Sequence, residues 1–190
     1  QRNTFGLLPG PEGTCPYATT SSGGCWYLAP GRKTHTCYVD SLMRAYKGIR
    51  GVLAHNTELL MKAPEDVARM TAILSTEFQR FKDVELRRET RQGHKPQMFY
   101  RLHWAGDIFN TQYSQAIANA VKQHSDIKFW IYTRTFDSVH PLLDIPNLVV
   151  YLSLDPANAE AGLQCYDEHQ LANNLHVCYM AAENDFEQVK

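Results

Sequence analysis

The residues with the most chemistry in this sequence are its five cysteines, Cys15, Cys25, Cys37, Cys165 and Cys178, three of them crowded into the first fifth of the chain. An odd, clustered set fits a thiolate site better than complete disulfide pairing. Thiolates are soft ligands suited to iron–sulfur clusters or zinc. The N-terminal three are spaced C-x9-C-x11-C, which is neither the tight pair of a zinc ribbon nor the compact run of a bacterial ferredoxin. Their surroundings strengthen the reading. Pro9-Gly10-Pro11, Gly13, Ser21-Ser22-Gly23-Gly24 and Pro30-Gly31 allow a loop to fold back on itself, and ligation would order a segment its own backbone cannot. Cys178 is the favoured fourth ligand and Cys165 the alternative, although each also reads as a small buried apolar residue. His35, close to Cys37, offers a mixed Cys/His site.

These thiols need elements to position them. From Cys37 onward, Val39, Leu42, Met43, Tyr46, Ile49 and Leu53 fall at helical spacing, so the third cysteine stands where a helix begins, a place that favours its thiolate. Pro64-Glu65-Asp66 starts a second helix whose core stripe is Val67, Met70, Leu74, Phe78 and Phe81. Arg80 to Arg101 carries seven basic residues against three acids and reads as a solvated loop. Beyond it, strands at Phe99–Trp104, Ile127–Thr133, Leu148–Leu154 and Leu175–Met180 alternate with helical stretches, one capped by Asn110 and a short one near Phe136–Leu143. The apolar run Val149-Val150-Tyr151-Leu152 suits a parallel strand buried on both faces. The intervening segments are long enough for right-handed crossovers.

Each of these strands ends in polar groups: Gly106-Asp107, then Thr133-Arg134, then Ser153 and Asp155. In parallel α/β folds that edge is where sites form. Singly, Asp107 and Asp155 read as helix caps and Arg134 as a salt-bridge partner, but three consecutive strand ends favour a shared site. His103 reads as a satisfied core histidine or as a hydrogen-bonding support for that site.

Composition narrows the partners. The chain has 190 residues, 44% of them apolar, and a formal charge of −1, so it has material for one core and no global field that selects nucleic acid or membrane. No apolar run approaches a membrane span and no charged n-region precedes an apolar one near Gln1–Gly10. The expected setting is cytoplasmic, in a single domain of residues 1–190 made of a cysteine loop (1–37), a helical segment (38–97) and βα units (98–190).

Thr14-Cys15-Pro16-Tyr17-Ala18, Cys37-Tyr38, Phe99 to Phe109, Phe129 to Arg134 and Leu148 to Asp155 resemble phage-encoded proteins related to the radical SAM superfamily. That resemblance implies an α/β fold built as an incomplete parallel (β/α) barrel, with an irregular N-terminal cysteine-rich loop carrying a [4Fe–4S] cluster and an infected host cell as its setting. It implies that Gly106-Asp107 lies where such enzymes hold the amino group of S-adenosylmethionine; the strand-end residues Thr133, Arg134 and Ser153, with Asp107, are the contacts expected for a bound substrate or S-adenosylmethionine. The spacing departs from that superfamily's C-x3-C-x2-C, and a fourth cysteine would close the iron at which S-adenosylmethionine binds. Three functions follow as expectations. The first is a cluster-binding protein with Cys15, Cys25, Cys37 and Cys178 as ligands and a redox partner or small molecule as its counterpart. The second is an enzyme cleaving S-adenosylmethionine. The third is a zinc-stabilised nucleic-acid-binding module using Arg87, Arg88 and Arg91.

Overall fold

The structure, a computed structural model, describes residues 3–19, 24–26 and 37–180. His35 and the C-terminal stretch from Glu183 lie outside the described residues. Three helices come first: α1 (Tyr38–Ala45), α2 (Lys47–Met61) and α3 (Val67–Gln92). Then β1 (Phe99–Leu102), α4 (Thr111–Gln123), β2 (Lys128–Thr133), β3 (Leu148–Leu154), α5 (Ala159–Glu168) and β4 (Leu175–Tyr179) follow, with two 3-10 turns between β2 and β3.

The apolar run from Val39 to Leu53 is two helices rather than one, parted at Tyr46, whose backbone is extended (φ −128, ψ 96). Helix α3 begins as expected, with the Asp66 carboxylate accepting from Arg69 N at 2.9 Å, but it runs to Gln92. The basic stretch read as loop is therefore mostly helix. Its charges are spaced to hold it: Glu77 accepts from Arg80 and Glu85 from Arg88 at i,i+3. Gly93, in the left-handed region at φ 67, ends it.

The four strands form one parallel sheet in the order β1-β2-β3-β4. Because the order never reverses, right-handed crossovers keep successive helices on one face. A doubly wound sheet reverses and places helices on both. On the helical face, Phe78 and Phe81 of α3 close on Tyr100, and Phe78 on Phe129. Leu154 meets α5 at Gly162. The strands are thus not buried on both faces as the apolar run suggested. They alternate, β3 burying Leu148, Val150, Leu152 and Leu154 while the residues between stay half-exposed. Among the described residues the sheet remains open and no barrel closes. At the sheet's N-terminal end, Asn147 Nδ2 lies 3.0–3.1 Å from the carbonyls of Val121, His124 and Ile127, and Asn174 does the same for Leu142 and Leu148. Val121 O and His124 O also accept from the backbone N–H of His124 and Ile127, so the two asparagines complete the bonding of irregular buried backbone.

Candidate functional site

At the C-terminal edge of the sheet the polar strand ends converge. Asp107, buried, accepts on Oδ1 from Thr133 Oγ1 (2.6 Å) and Ile108 N (2.7 Å), and on Oδ2 from Arg134 N (2.8 Å). Arg134 Nη2 donates to Asp155 Oδ2 at 2.7 Å, and Asp155 Oδ1 accepts from Ala157 N. Three strand ends are thus tied by one network. Neither aspartate caps a helix through its side chain: α4 is capped by Asn110, which accepts from Tyr113 N at 2.7 Å. Burial raises the Asp107 carboxyl to about 6, although its three donors and the Arg134 charge oppose the shift. Arg134 Nε is buried without a hydrogen-bond partner among the described residues.

The cysteine loop is built onto this network. Thr14 Oγ1 accepts from Asp107 N (3.2 Å) and donates to Leu8 O (3.0 Å). The Tyr17 hydroxyl, 2.6 Å from Asp137 Oδ2, ties the loop to the turn after β2. Gly106 makes the approach possible. Its φ is +81, and an added Cβ would stand 2.5 Å from Thr14 Oγ1 and 2.6 Å from Leu7 Cβ. Its open side thus receives the N-terminal segment. In the sequence, Thr14 and Tyr17 stand out only as neighbours of Cys15 in the resembling segment, since neither belongs to a periodic element that would assign it a role.

The loop brings three cysteines together over the strand ends. Cys37 N donates to Cys25 O at 2.7 Å, which brings the two thiols close enough to act on one another's ionisation. That coupling lowers Cys37 and raises Cys25, as expected when two neighbouring thiols titrate as a pair. The N–H groups of Val39 and Asp40 at the start of α1 further favour the Cys37 thiolate. Burial pushes the Cys15 thiol up to about 12, with the Asp107 charge and Cys37 adding to the shift. Arg134 acts in the opposite sense on Cys25. Among the described residues, no group of three or more His, Cys, Asp or Glu side chains is arranged to hold a metal ion. A lone tetrahedral ion requires thiolate sulfurs about 3.8 Å apart, whereas a cluster distributes its ligands over several irons.

The other candidates lie elsewhere. Cys165 is on α5, on the helical face, its sulfur 3.7 Å from Phe136 O. Cys178 is exposed in β4, paired in register with Ser153 on the opposite, open face. Ser153 is half-exposed there, and its carbonyl accepts from Asn158 Nδ2. His103, at the end of β1, adopts φ 57 and is buried, with Nε2 2.7 Å from the Tyr113 hydroxyl and Nδ1 unpartnered among the described residues. Burial and the Arg101 charge lower it to about 3, so it is a neutral core histidine.

The sequence matches the family model described as "Gene product 88" over residues 1–189. Two curated relatives, each named "Gene 88 protein" and encoded by Mycobacterium phages D29 and L5, are 32% identical to it over 163 residues, covering 84% of this chain and 60% of their own length. The chain therefore spans 60% of the length of these relatives. Their names state no activity, and these matches carry no link to the radical SAM superfamily. No solved structure matches the chain. Among the described residues no helix is long and apolar enough to cross a membrane.

Proposed function

The chain belongs to the gene product 88 family, and we propose that it is an iron–sulfur protein in which Cys15, Cys25 and Cys37 ligate a [4Fe–4S] cluster at the C-terminal edge of the sheet, on a partial barrel of the radical SAM kind. One observation carries this reading: the loop that holds three thiols separated by nine and eleven residues is joined at Cys37 N to Cys25 O and, through Thr14 beside Cys15, to the Asp107–Arg134–Asp155 network. The donor set fits. The thiols are soft ligands, Cys37 already favours its ionised form, and Arg134 Nε is an unpartnered buried donor beside Cys25 that suits the negative charge of a thiolate-bound cluster. The strand order supports the partial barrel, because parallel strands in sequence order are what a (β/α) barrel requires.

A bound cluster would supply one-electron chemistry, its potential set by charge, hydrogen bonding and exposure. The chain's own residues would hold it. Thr14 and Tyr17 anchor the loop, Asp107 braces the two strand ends, and Arg134 offers positive charge. Three protein thiolates leave one iron open to a small ligand, and S-adenosylmethionine is the one that the sequence resemblance implies. With Cys178 as a fourth ligand, electron exchange with a redox partner remains the role.

The test is metal and acid-labile sulfide analysis of anaerobically purified protein. The expectation is about four of each per chain with a broad band near 400 nm, lost in Cys15→Ala, Cys25→Ala and Cys37→Ala and kept in Cys165→Ser. Retention in Cys178→Ser points to the open iron, and 5′-deoxyadenosine or methionine released under reduction then identifies S-adenosylmethionine cleavage. Zinc without sulfide, or no metal at all, overturns the reading.

A further inference from the structure

The helical face of the sheet is packed. The opposite face is not covered by α3, α4 or α5, and its composition differs in kind. On β1 it presents Phe99 and Arg101, and on β2 Lys128, Trp130 and Tyr132. Tyr151 on β3 and His176 on β4 continue the row. No strand residue is Asp or Glu. Tyr132 stacks on Tyr151 at 4.9 Å with their planes 17° apart, and Tyr151 lies 5.6 Å from His176. Arg101 caps the other end of the row, its guanidinium 5.5 Å from the Tyr132 centroid. Arg101 is half-buried, with its Nε buried and without a hydrogen-bond partner among the described residues and with its charge acting on Tyr38 at the start of α1. Phe99, at 56% exposure, and the exposed Lys128 and His176 stand at the margins.

We propose that this face binds single-stranded nucleic acid, with unpaired bases continuing the ring row and the phosphates drawn to Arg101 and Lys128. The row crosses from β2 to β4 over about 10 Å and ends at the exposed His176, the end at which a base can continue it. Aromatic rings on a sheet recognise bases only when these are splayed out of a helix. A duplex keeps its base faces stacked inside and so offers the row nothing. The absence of carboxylates from the strands makes the face complementary to a polyanion although the chain as a whole carries −1. This surface is separate from the basic stretch of α3, and the proposal stands whether or not the cysteines hold a cluster.

The test is fluorescence anisotropy of labelled 20-nucleotide oligouridylate and oligothymidylate titrated with the full chain at 50 and 200 mM salt. With two cations engaged, affinity falls about sevenfold over that range. Phe99→Ala with His176→Ala, both exposed positions, weakens binding about tenfold or more while the circular dichroism and thermal midpoint stay unchanged. Arg87→Glu with Arg91→Glu on α3 leaves binding intact. No binding at 50 mM salt, equal competition by a duplex of the same length, or loss of binding in the α3 variant but not in the sheet variant overturns the proposal.

Discussion

The pH dependence of stability tests the burial argument at two residues at once. His103 titrates at about 3 in the fold against 6.5 when free. Between those values the unfolded chain binds the extra proton, so the contribution of His103 is complete above pH 6.5 and is lost as pH falls. From pH 6.5 to 4.5 that loss is about 2 kcal/mol. Asp107 runs the other way. Its carboxyl is raised from 3.8 to about 6, so the fold binds the proton first, and its contribution is complete below pH 3.8 and lost as pH rises through 6. Over the same two units of acidification it returns about 2 kcal/mol. The two nearly cancel, and urea unfolding of the metal-free chain at pH 6.5, 5.5 and 4.5 should therefore show an almost flat profile from this pair. The variants separate them. His103→Asn tolerates the left-handed backbone at φ 57 and should gain about 2 kcal/mol on acidification relative to the unmodified chain, whatever its absolute loss of packing. Asp107→Asn should lose a similar amount. Parallel profiles for the unmodified chain and His103→Asn would refute the claim that His103 is held neutral by burial.

Arg134→Met leaves Asp155 buried without its partner and should destabilise the fold by about 3–5 kcal/mol, read from the same urea curves. Gly106→Ala, forced against Thr14 and Leu7 at a positive φ, should release the cysteine loop, measured as faster alkylation of Cys15 with the sheet's circular dichroism retained. Asn147→Ala removes a donor from the carbonyls of Val121, His124 and Ile127, of which the first two keep backbone partners in His124 N and Ile127 N, and should cost about 1–2 kcal/mol. In the metal-free protein at neutral pH, iodoacetamide should modify Cys37 before Cys15, as mass spectrometry of a time course will show.

What the sequence revealed, it revealed where one pattern had one cause. Leu148–Leu154 appeared as a strand and is one, and the stripe Met70, Leu74, Phe78, Phe81 is core because helical spacing admits no other use. The basic stretch after Arg80 misled because net charge is blind to spacing: Glu77, Arg80, Glu85 and Arg88 support a helix only when paired three apart. Asp107 and Arg134 were visible as strand-end polar groups, and Arg134 pairs with a carboxylate, Asp155, as its structural reading expected. The meeting of Cys25 and Cys37 was not readable, because neither residue before α1 belongs to a periodic element whose spacing would place it. The composition of the open sheet face was also missed, since alternation along one strand says nothing of its neighbours until register is known.

The unreversed strand order has a consequence for synthesis. Each βα unit can dock on the one before it as it leaves the ribosome, so the sheet grows vectorially from β1. The thiols are made first, but the groups that seat their loop, Asp107, Arg134 and Asp155, come later, by about 4–28 s at ordinary elongation rates. During that interval the cysteines are nascent, unshielded and open to oxidation. The network that seats their loop is complete only once the third strand has emerged, so the last-made of its parts decides when the first-made thiols are held in place.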